Sequence, residues 1–204
     1  MGRRSIVAVG TAFLAFGLLT TLGGGDAGAA PSPAVTGSGV TTCNVSGTLR
    51  FSPALEGESS GSSTATVSAT LSSCISSAGG KLKVASGHLE GLIGSVSPAN
   101  CTSVAIAHVA PPLSAGSVAW AARTRLTASK GVSFPVGGAT IVTIGGVTFL
   151  QVSYSGGDVT DGSYANSGDT SMTVTSDQND AQLAAKCSSR KGLTLVNFKG
   201  TSTL

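Results

Sequence analysis

The fold is decided by residues 43–51, Cys-Asn-Val-Ser-Gly-Thr-Leu-Arg-Phe, in which two kinds of side chain alternate strictly. Cysteine, valine, glycine, leucine and phenylalanine take the odd positions, and asparagine, serine, threonine and arginine take the even ones. A period of two is typical of a β-strand with one buried face. Ser52-Pro53 ends the segment, a polar stretch over 56–63 returns the chain, and residues 65–71 repeat the alternation. The two segments therefore predict an antiparallel hairpin.

Further strands are predicted downstream from patterns of the same kind. They are residues 81–93, a stretch marked by Val104, Ile106 and Val109, residues 118–126 with Trp120 facing the core, two strands around Gly145-Gly146 within 141–154, a stretch marked by Met172 and Val174, and residues 193–198. The apolar parity shifts near Ser86-Gly87, which predicts a β-bulge at that point.

Only one segment has a helical signature. Asp177 is placed to cap a short run from there to Lys186, and such a helix would deliver Cys187 to a partner. Short strands, many Gly, Ser and Pro turns and no alternation of strands with helices predict an all-β fold. We expect an antiparallel β-sandwich of the immunoglobulin-like, Greek-key type or a flattened barrel, with one short helix near the C-terminus.

The first 29 residues have the pattern of a secretory signal peptide. Arg3-Arg4 gives a positive start, Ser5–Leu22 is an uncharged apolar run, and Ala27-Gly28-Ala29 offers the small residues that a signal peptidase requires. A retained membrane anchor is the alternative, because the run approaches the roughly 20 residues that cross a bilayer. The paired arginines leave the twin-arginine route open beside the general secretory route. We expect a secreted, extracellular protein with no stable membrane anchor.

Residues 30–42 form a Pro/Gly/Ser/Thr linker without periodicity, and residues 43–204 are predicted to fold as one disulfide-stabilised β domain. Charged residues make up only 10% of the chain, and the formal net charge of +3 falls to +2 when Arg3, Arg4 and Asp26 leave with the leader. This balance leaves no basic field for nucleic acid, so nucleic acid is excluded as a partner.

Four cysteines follow the leader: Cys43, Cys74, Cys101 and Cys187. An even number of cysteines in an exported chain predicts disulfides, and their spacing matches neither a zinc site nor a redox pair. Three pairings are possible. Cys43 opens one predicted strand and Cys74 closes the next, so a hairpin would bring these two together and leave Cys101 for Cys187.

The segment from Tyr154 to Asp169 is the candidate ligand loop. Glycines alternate there with groups that suit a calcium ion or a sugar: Tyr154, Asp158, Asp161, Tyr164, Asn166 and Asp169. Carboxylate and amide oxygens on a flexible loop are calcium ligands, although the spacing does not fit an EF-hand. The alternative is a solvated loop whose Asp and Asn side chains make turns. No cofactor other than calcium is suggested, and the metal itself is left unknown.

Catalytic patterns are weak, so no catalytic residue is assigned. Residues 57–61 match the Gly-x-Ser-x-Gly pattern of serine hydrolases, but a polar hairpin loop does not provide the strand and helix of a nucleophile elbow. His88 and Glu90 share a strand face, where a surface ion pair is the simpler interpretation, and His108 is expected to be structural. The candidate carboxylates for polysaccharide cleavage are scattered over predicted loops: Glu56, Glu58, Glu90, Asp158, Asp161 and Asp169.

The order of these features resembles a family. Cys43 and its glycine-containing strand, Phe51-Ser52-Pro53-Ala54-Leu55, Leu71-Ser72-Ser73-Cys74, Asn100-Cys101, Trp120, and Cys187 with Lys191-Gly192-Leu193-Thr194 are similar to uncharacterised small secreted β-rich proteins of actinobacteria with four cysteines. The resemblance implies an exported β-rich protein, and it supplies no catalytic residues.

These features are consistent with three functions. A secreted non-enzymatic protein that binds a cell-envelope or extracellular partner, either a cell-wall glycan or a protein, fits the leader, the cysteines and the lack of assembled catalytic groups. A secreted hydrolase acting on polysaccharide or ester substrates would require facing carboxylates or a serine close to His88 or His108. A structural or assembly module would pair an edge strand with another copy.

Overall fold

Nine β-strands and one short helix make up the described part of this computed structural model, which covers residues 39–58, 60–76, 86–101, 112–121, 125–166, 168 and 170–204. The strands are β1 (Thr41–Leu55), β2 (Ser63–Ser76), β3 (Ser86–Val96), β4 (Leu113–Trp120), β5 (Ser129–Phe134), β6 (Val136–Ile144), β7 (Val147–Gly157), β8 (Thr170–Asn179) and β9 (Leu193–Thr203). The helix α1 (Asp180–Cys187) lies between β8 and β9. The predicted all-β class with one short helix near the C-terminus is confirmed.

All strands belong to one antiparallel sheet in the order β5-β4-β3-β2-β1-β9-β8-β7-β6. Consecutive strands are hydrogen-bonded to each other, with the exception of β5 and β6. In addition, β9 pairs with β1. The two strands at the ends of this order, β5 and β6, are separated only by Pro135. The sheet therefore closes on itself as a barrel with a meandering strand order. Of the two predicted architectures, the barrel is the one observed, and the strand order is not that of a Greek key.

The seam of the barrel joins β5 to the segment that follows β7. The Lys130 amide donates to the Asp161 carbonyl at 2.8 Å, and the Ser133 amide donates to the Asp158 carbonyl at 3.0 Å. At this seam Gly157 is required, because a Cβ there would overlap the Ser133 carbonyl. Closing the seam leaves β5 with hydrogen-bonded neighbours on both sides, which removes an exposed edge.

The predicted two-strand unit around Gly145-Gly146 is confirmed as the β6–β7 hairpin. Both glycines have positive φ, 59° and 80°, as a tight two-residue hairpin turn demands of its central residues. The register runs without a break from Ile144 paired with Val147 to Val136 paired with Ser155.

Both disulfides form with the predicted pairing, Cys43 with Cys74 and Cys101 with Cys187. The first joins the start of β1 to the end of β2 at a β-bulge, where Ser73 has a positive φ of 49° and two residues of β2 oppose Cys43. The second ties the end of α1 to the segment after β3. Two disulfides are typical of proteins that fold in an oxidising compartment.

Some local predictions were wrong or fall outside the described residues. Helix α1 begins at Asp180 with Asn179 as its cap, whereas Asp177 pairs with Lys199 at 3.6 Å. Bulges interrupt the pairings of β3 near Gly91 and Gly94, and not at Ser86-Gly87. Strand β5 was not predicted, and β1 begins two residues inside the predicted linker. The leader, most of the linker and the stretch from Val104 to Val109 lie outside the described residues.

The barrel interior has two halves, which we call the packed half and the cavity half. The packed half lies where β1 begins and β2 ends. Its buried side chains, which do not line the cavity, include Val45, Ala69, Leu71, Leu89, Val118, Trp120 and Tyr164. The cavity half lies where β1 ends and β2 begins, next to α1. Inward-facing residues alternate with outward-facing ones along β2, so the same strand contributes to both halves.

Candidate functional site

The candidate ligand loop closes the packed half of the barrel. Tyr164 is fully buried, and its ring meets Trp120 edge-on with the centroids 5.3 Å apart. The Trp120 indole N–H donates to Ser129 Oγ at 2.9 Å, and Ser129 Oγ in turn donates to the Ser163 carbonyl. Tyr154 is also buried, beside Phe134. Neither tyrosine therefore has an exposed ring face on which a sugar could stack, and the sugar-binding interpretation of this loop stays a prediction.

Burial raises the pKa of the Tyr164 hydroxyl, and the hydroxyls of Thr41 and Ser76 oppose this shift. The Thr41 and Ser76 hydroxyls lie near enough to favour the ionised form of Tyr164. No hydrogen-bond partner of the buried Tyr164 hydroxyl is found among the described residues. Tyr164 also has a positive φ of 65°. The ring is thus held in place by packing against Trp120 at the cost of an unsatisfied polar atom.

The carboxylates of the loop make local turns. Asp158 Oδ1 accepts from the Val159 amide at 2.7 Å, and Asp161 Oδ1 accepts from the Gly162 amide at 2.8 Å. Asn166 is exposed with a positive φ of 55°. Asp169 lies outside the described residues. Within the described part of the chain, no three acidic, histidine or cysteine side chains come together as a metal site would require. The two described aspartates of the loop make turn contacts, and the calcium interpretation stays a prediction.

A serine, a histidine and a glutamate meet on the outer face of the sheet. Ser68 Oγ lies 3.3 Å from His88 Nε2, and Glu90 Oε1 lies 3.3 Å from the same nitrogen. A catalytic triad needs the serine and the acid on opposite ring nitrogens, so that one orients the base and the other is activated. Here both compete for Nε2 on an exposed strand surface. The geometry is that of the predicted surface ion pair with an added hydroxyl contact.

The other catalytic patterns are not assembled either. The loop around Gly57 runs from β1 directly into β2, so no helix follows the Gly-x-Ser-x-Gly match, whose Ser59 lies outside the described residues together with His108. The candidate carboxylates belong to three separate places: the β1–β2 connection (Glu56 and Glu58), the outer face of β3 (Glu90), and the barrel seam (Asp158 and Asp161).

The site that the sequence did not predict is a cavity inside the barrel. It offers about 80 Å³ to the centres of water-sized molecules, enough for several waters, and it opens to solvent at its mouth. Its walls come from the inward faces of β1, β2, β3, β6, β7, β8 and β9 and from α1. The lining residues include Leu49, Ala65, Val67, Ile93, Ala139, Leu150, Val152, Tyr154, Val174, Ser176, Leu183, Val196 and Phe198. All but two of these side chains are apolar.

The two polar side chains of the cavity wall carry no charge. Ser176 Oγ accepts from the Leu150 amide at 3.2 Å and donates to the Gln178 carbonyl at 2.7 Å, so its hydrogen-bonding capacity is largely used within the protein. Burial raises the pKa of Tyr154 to about 12, so this hydroxyl is neutral at physiological pH. Among the described lining residues there is no histidine, acid or base. The cavity therefore offers apolar contacts and one neutral hydroxyl at Tyr154.

Helix α1 covers the cavity half and is fixed at both ends. At its start, Asn179 Oδ1 accepts from the Gln182 amide at 2.8 Å while Gln182 Oε1 accepts from the Asn179 amide at 3.0 Å, a reciprocal capping box. At its end, Cys187 is bonded to Cys101. Leu183, between the two, points into the cavity. The capping box and the disulfide together hold one apolar side chain, Leu183, over the open centre of the barrel.

No helix in the described part of the chain is both long and apolar enough to cross a membrane. Comparison with known proteins adds no relative from which a function could be transferred. No family model, curated protein sequence or solved structure matches this chain.

Proposed function

We propose that this protein is exported from the cell and acts there as a non-enzymatic binding protein whose ligand is a small apolar molecule. The observation that carries the proposal is the cavity, a space of about 80 Å³ with almost entirely apolar walls that opens to solvent. Export is supported by the two disulfides, the predicted leader and the resemblance to secreted actinobacterial proteins.

The chemistry of the walls selects the ligand class. A charged group in this cavity would lose its hydration without gaining a partner among the described lining residues, which costs several kcal/mol. A sugar would place many hydroxyls against apolar walls. An alkyl chain or a hydrocarbon ring has no hydration to lose. Its transfer from water into the cavity is favourable by about 25 cal/mol for each Å² of apolar surface that it buries. One neutral hydroxyl or carbonyl on the ligand could pair with Tyr154.

Enlarging a wall residue tests the proposal. Purified chain without its leader is titrated with the neutral apolar dye N-phenyl-1-naphthylamine, whose fluorescence rises on leaving water. We expect saturable binding that Ala139→Leu weakens at least tenfold, because Ala139 is buried and faces the cavity. The matched control is Ala119→Leu, the same change at an exposed position of β4, which should bind the dye as the unaltered protein does.

Two results would count against this function. One is the absence of saturable dye binding to the folded protein, shown folded by the fluorescence of Trp120, the one tryptophan of the chain. The other is equal binding by the Ala139→Leu and unaltered proteins, which would place the dye elsewhere.

A further inference from the structure

Two hydroxyl groups belong to the cavity wall, and the protein uses them differently. Ser176 Oγ accepts from the Leu150 amide and donates to the Gln178 carbonyl, so both of its roles are filled. Tyr154 is only 6% exposed, yet no hydrogen bond of its hydroxyl is found among the described residues, and burial alone acts on its pKa. A buried hydroxyl without a partner is costly, and a molecule that enters the cavity with a matching group relieves that cost.

The Tyr154 hydroxyl is accessible from the cavity, in contrast to the hydroxyl of Tyr164. In the described part of the chain, the Tyr164 oxygen is the one buried side-chain polar atom that is sealed from solvent and has no partner. The Tyr154 oxygen also lacks a partner but is not sealed, and the space that its residue lines is the cavity. A ligand in the cavity can therefore reach Tyr154, whereas Tyr164 is out of its reach.

The fold holds the Tyr154 ring in place. Tyr154 lies on the inward face of β7, two residues after Val152, which also lines the cavity. Its ring packs against that of Phe134, with the centroids 6.1 Å apart. Its partner on β6 is Gly137, which has no side chain on the shared face of the sheet to cover the ring. A donor on a fixed ring binds a ligand without first losing rotamer freedom.

A carbonyl is the polar ligand group that a single phenolic O–H satisfies best. The oxygen of a ketone or an ester only accepts hydrogen bonds, so one donor is enough to pair it. A ligand hydroxyl both donates and accepts, and one partner in an otherwise apolar wall fills only one of these roles. A carboxylate or an ammonium group would leave a charge among uncharged walls.

We propose that Tyr154 selects, among apolar molecules, those with one neutral carbonyl group, and donates a hydrogen bond to its oxygen. The alkyl part of such a molecule then contacts the apolar residues of the wall. The inference rests on the proposed function and names the ligand class of the same cavity. Tyr154 is thus the specificity-determining residue, and the surrounding leucine, isoleucine and valine side chains bind any hydrocarbon that fits.

Two molecules of the same shape provide the test. One is methyl pentyl ketone, and the other is the alkene in which a methylene group replaces the ketone oxygen. The affinity for each is measured from the methyl NMR signals of the protein during titration, so the test does not depend on the dye. We expect Tyr154→Phe to lower the ratio of ketone affinity to alkene affinity at least about tenfold, because the ketone oxygen loses its donor and the alkene no longer leaves a hydroxyl unpaired.

Tyr164→Phe is the matched control, because it makes the same change at the second of the two tyrosines of the chain. Tyr164 does not line the cavity, so this variant should keep the affinity ratio of the unaltered protein. The fluorescence of Trp120 shows that both variants are folded. The infrared C=O stretch of the bound ketone, isotopically labelled at the carbonyl carbon, should lie at lower frequency in the unaltered protein than in Tyr154→Phe, since a hydrogen bond weakens the C=O bond.

Three results would overturn the role of Tyr154. They are an affinity ratio that Tyr154→Phe leaves unchanged, an equal loss of the ratio in Tyr164→Phe, and a C=O stretch that Tyr154→Phe does not move. Each of these requires that the cavity binds both molecules, so each refutes the carbonyl preference and retains the apolar site. If the unaltered protein binds neither molecule, the proposed function itself is refuted, and the carbonyl preference with it.

Discussion

The two halves of the barrel are built from the same strands and differ in what fills them. In the packed half, leucine and valine side chains meet at the centre, and Tyr164 closes the end against Trp120. In the cavity half, the inward positions of the same sheet leave an open space beneath Leu183 of α1. Both halves satisfy the alternating pattern of a half-buried strand. Alternation therefore specifies the strands of the barrel, whereas side-chain volume and the closure of each end determine whether its centre is full.

Strand β2 shows this within a few residues. Ala65 and Val67 line the cavity, and Ala69 and Leu71 belong to the packed half. All four are buried and share one face of the strand. Their surroundings differ, because Ala65 and Val67 line the cavity, whereas Ala69 and Leu71 are buried away from it.

The largest expected effect comes from the disulfide at each end. Removing Cys101–Cys187 releases a loop with a sequence separation of 86, against 31 for Cys43–Cys74. Loop-closure entropy predicts losses of about 4–5 and about 3–4 kcal/mol respectively in the free energy of unfolding. Urea unfolding of Cys101→Ala/Cys187→Ala and Cys43→Ala/Cys74→Ala would measure this. A larger loss at Cys43–Cys74 would contradict the expected order. Dye binding should weaken only when Cys101–Cys187 is removed, because that bond fixes α1 over the cavity.

Truncating one leucine in each half comes next. Leu71→Ala should lower the free energy of unfolding by about 4 kcal/mol, since it empties a well-packed site. Leu193→Ala should cost about 2 kcal/mol, because a side chain that lines a cavity has packing partners on only one side. Chemical denaturation of the two variants under the same conditions measures the difference. Equal losses would show that the cavity half is as tightly packed as the other.

The two tyrosines predict a loss of stability at alkaline pH. Burial raises the folded-state pKa of Tyr154 to about 12 from 10.0. As the pH rises through the unfolded value, the unfolded state loses its proton first, so stability is complete below about pH 10 and falls toward pH 12, by about 1.4 kcal/mol per pH unit for one group. Tyr154→Phe should flatten this fall more than Tyr164→Phe, whose neighbouring hydroxyls oppose the shift. Urea midpoints measured across this range, with identical slopes for all three proteins, would refute the assignment.

Enlarging one alanine in each half has the smallest effect. Ala69→Leu should destabilise the protein by about 2 kcal/mol, because the added atoms enter a filled core. Ala65→Leu should change the unfolding free energy by less than about 1 kcal/mol, since its side chain can extend into the cavity. Thermal unfolding of the two variants distinguishes these outcomes, and a lower melting temperature for Ala65→Leu than for Ala69→Leu would reverse the expected order.

Much of the fold could be predicted from local patterns. Alternation predicted β1 and β2, a β-branched stretch broken at two glycines predicted β6 and β7, and short apolar runs predicted β8 and β9. The position of two cysteines on neighbouring strands predicted the first disulfide. The choice of barrel over sandwich could not be predicted, because it depends on the pairing of β9 with β1 and on the seam at Lys130 and Asp161, which join residues far apart in the chain. Strand β5 was missed because Val132 and Phe134 provide too short an alternating run to stand out.

The cavity could not be predicted from the sequence, and a ligand loop was only one of two interpretations of residues 154–169. Aspartates, asparagine and tyrosines in a glycine-rich stretch suit a ligand loop, but the same residues also make turns and close a barrel end. Burial of Tyr154 and Tyr164 is decided by the sheet around them and not by their neighbours in sequence. The small inward residues Ala65 and Ala139 are consistent with a cavity. They indicate one only when the side chains of the opposing strands are known.

Methyl-group NMR during titration with N-phenyl-1-naphthylamine would show which half of the barrel takes up an apolar ligand. The dye should shift the methyl signals of cavity residues such as Val67, Ile93 and Val174 and leave those of Leu71, Leu89 and Val118 in place. That result would establish an apolar ligand site in one half of the barrel only. Shifts confined to the outer surface, or spread equally over both halves, would contradict the account.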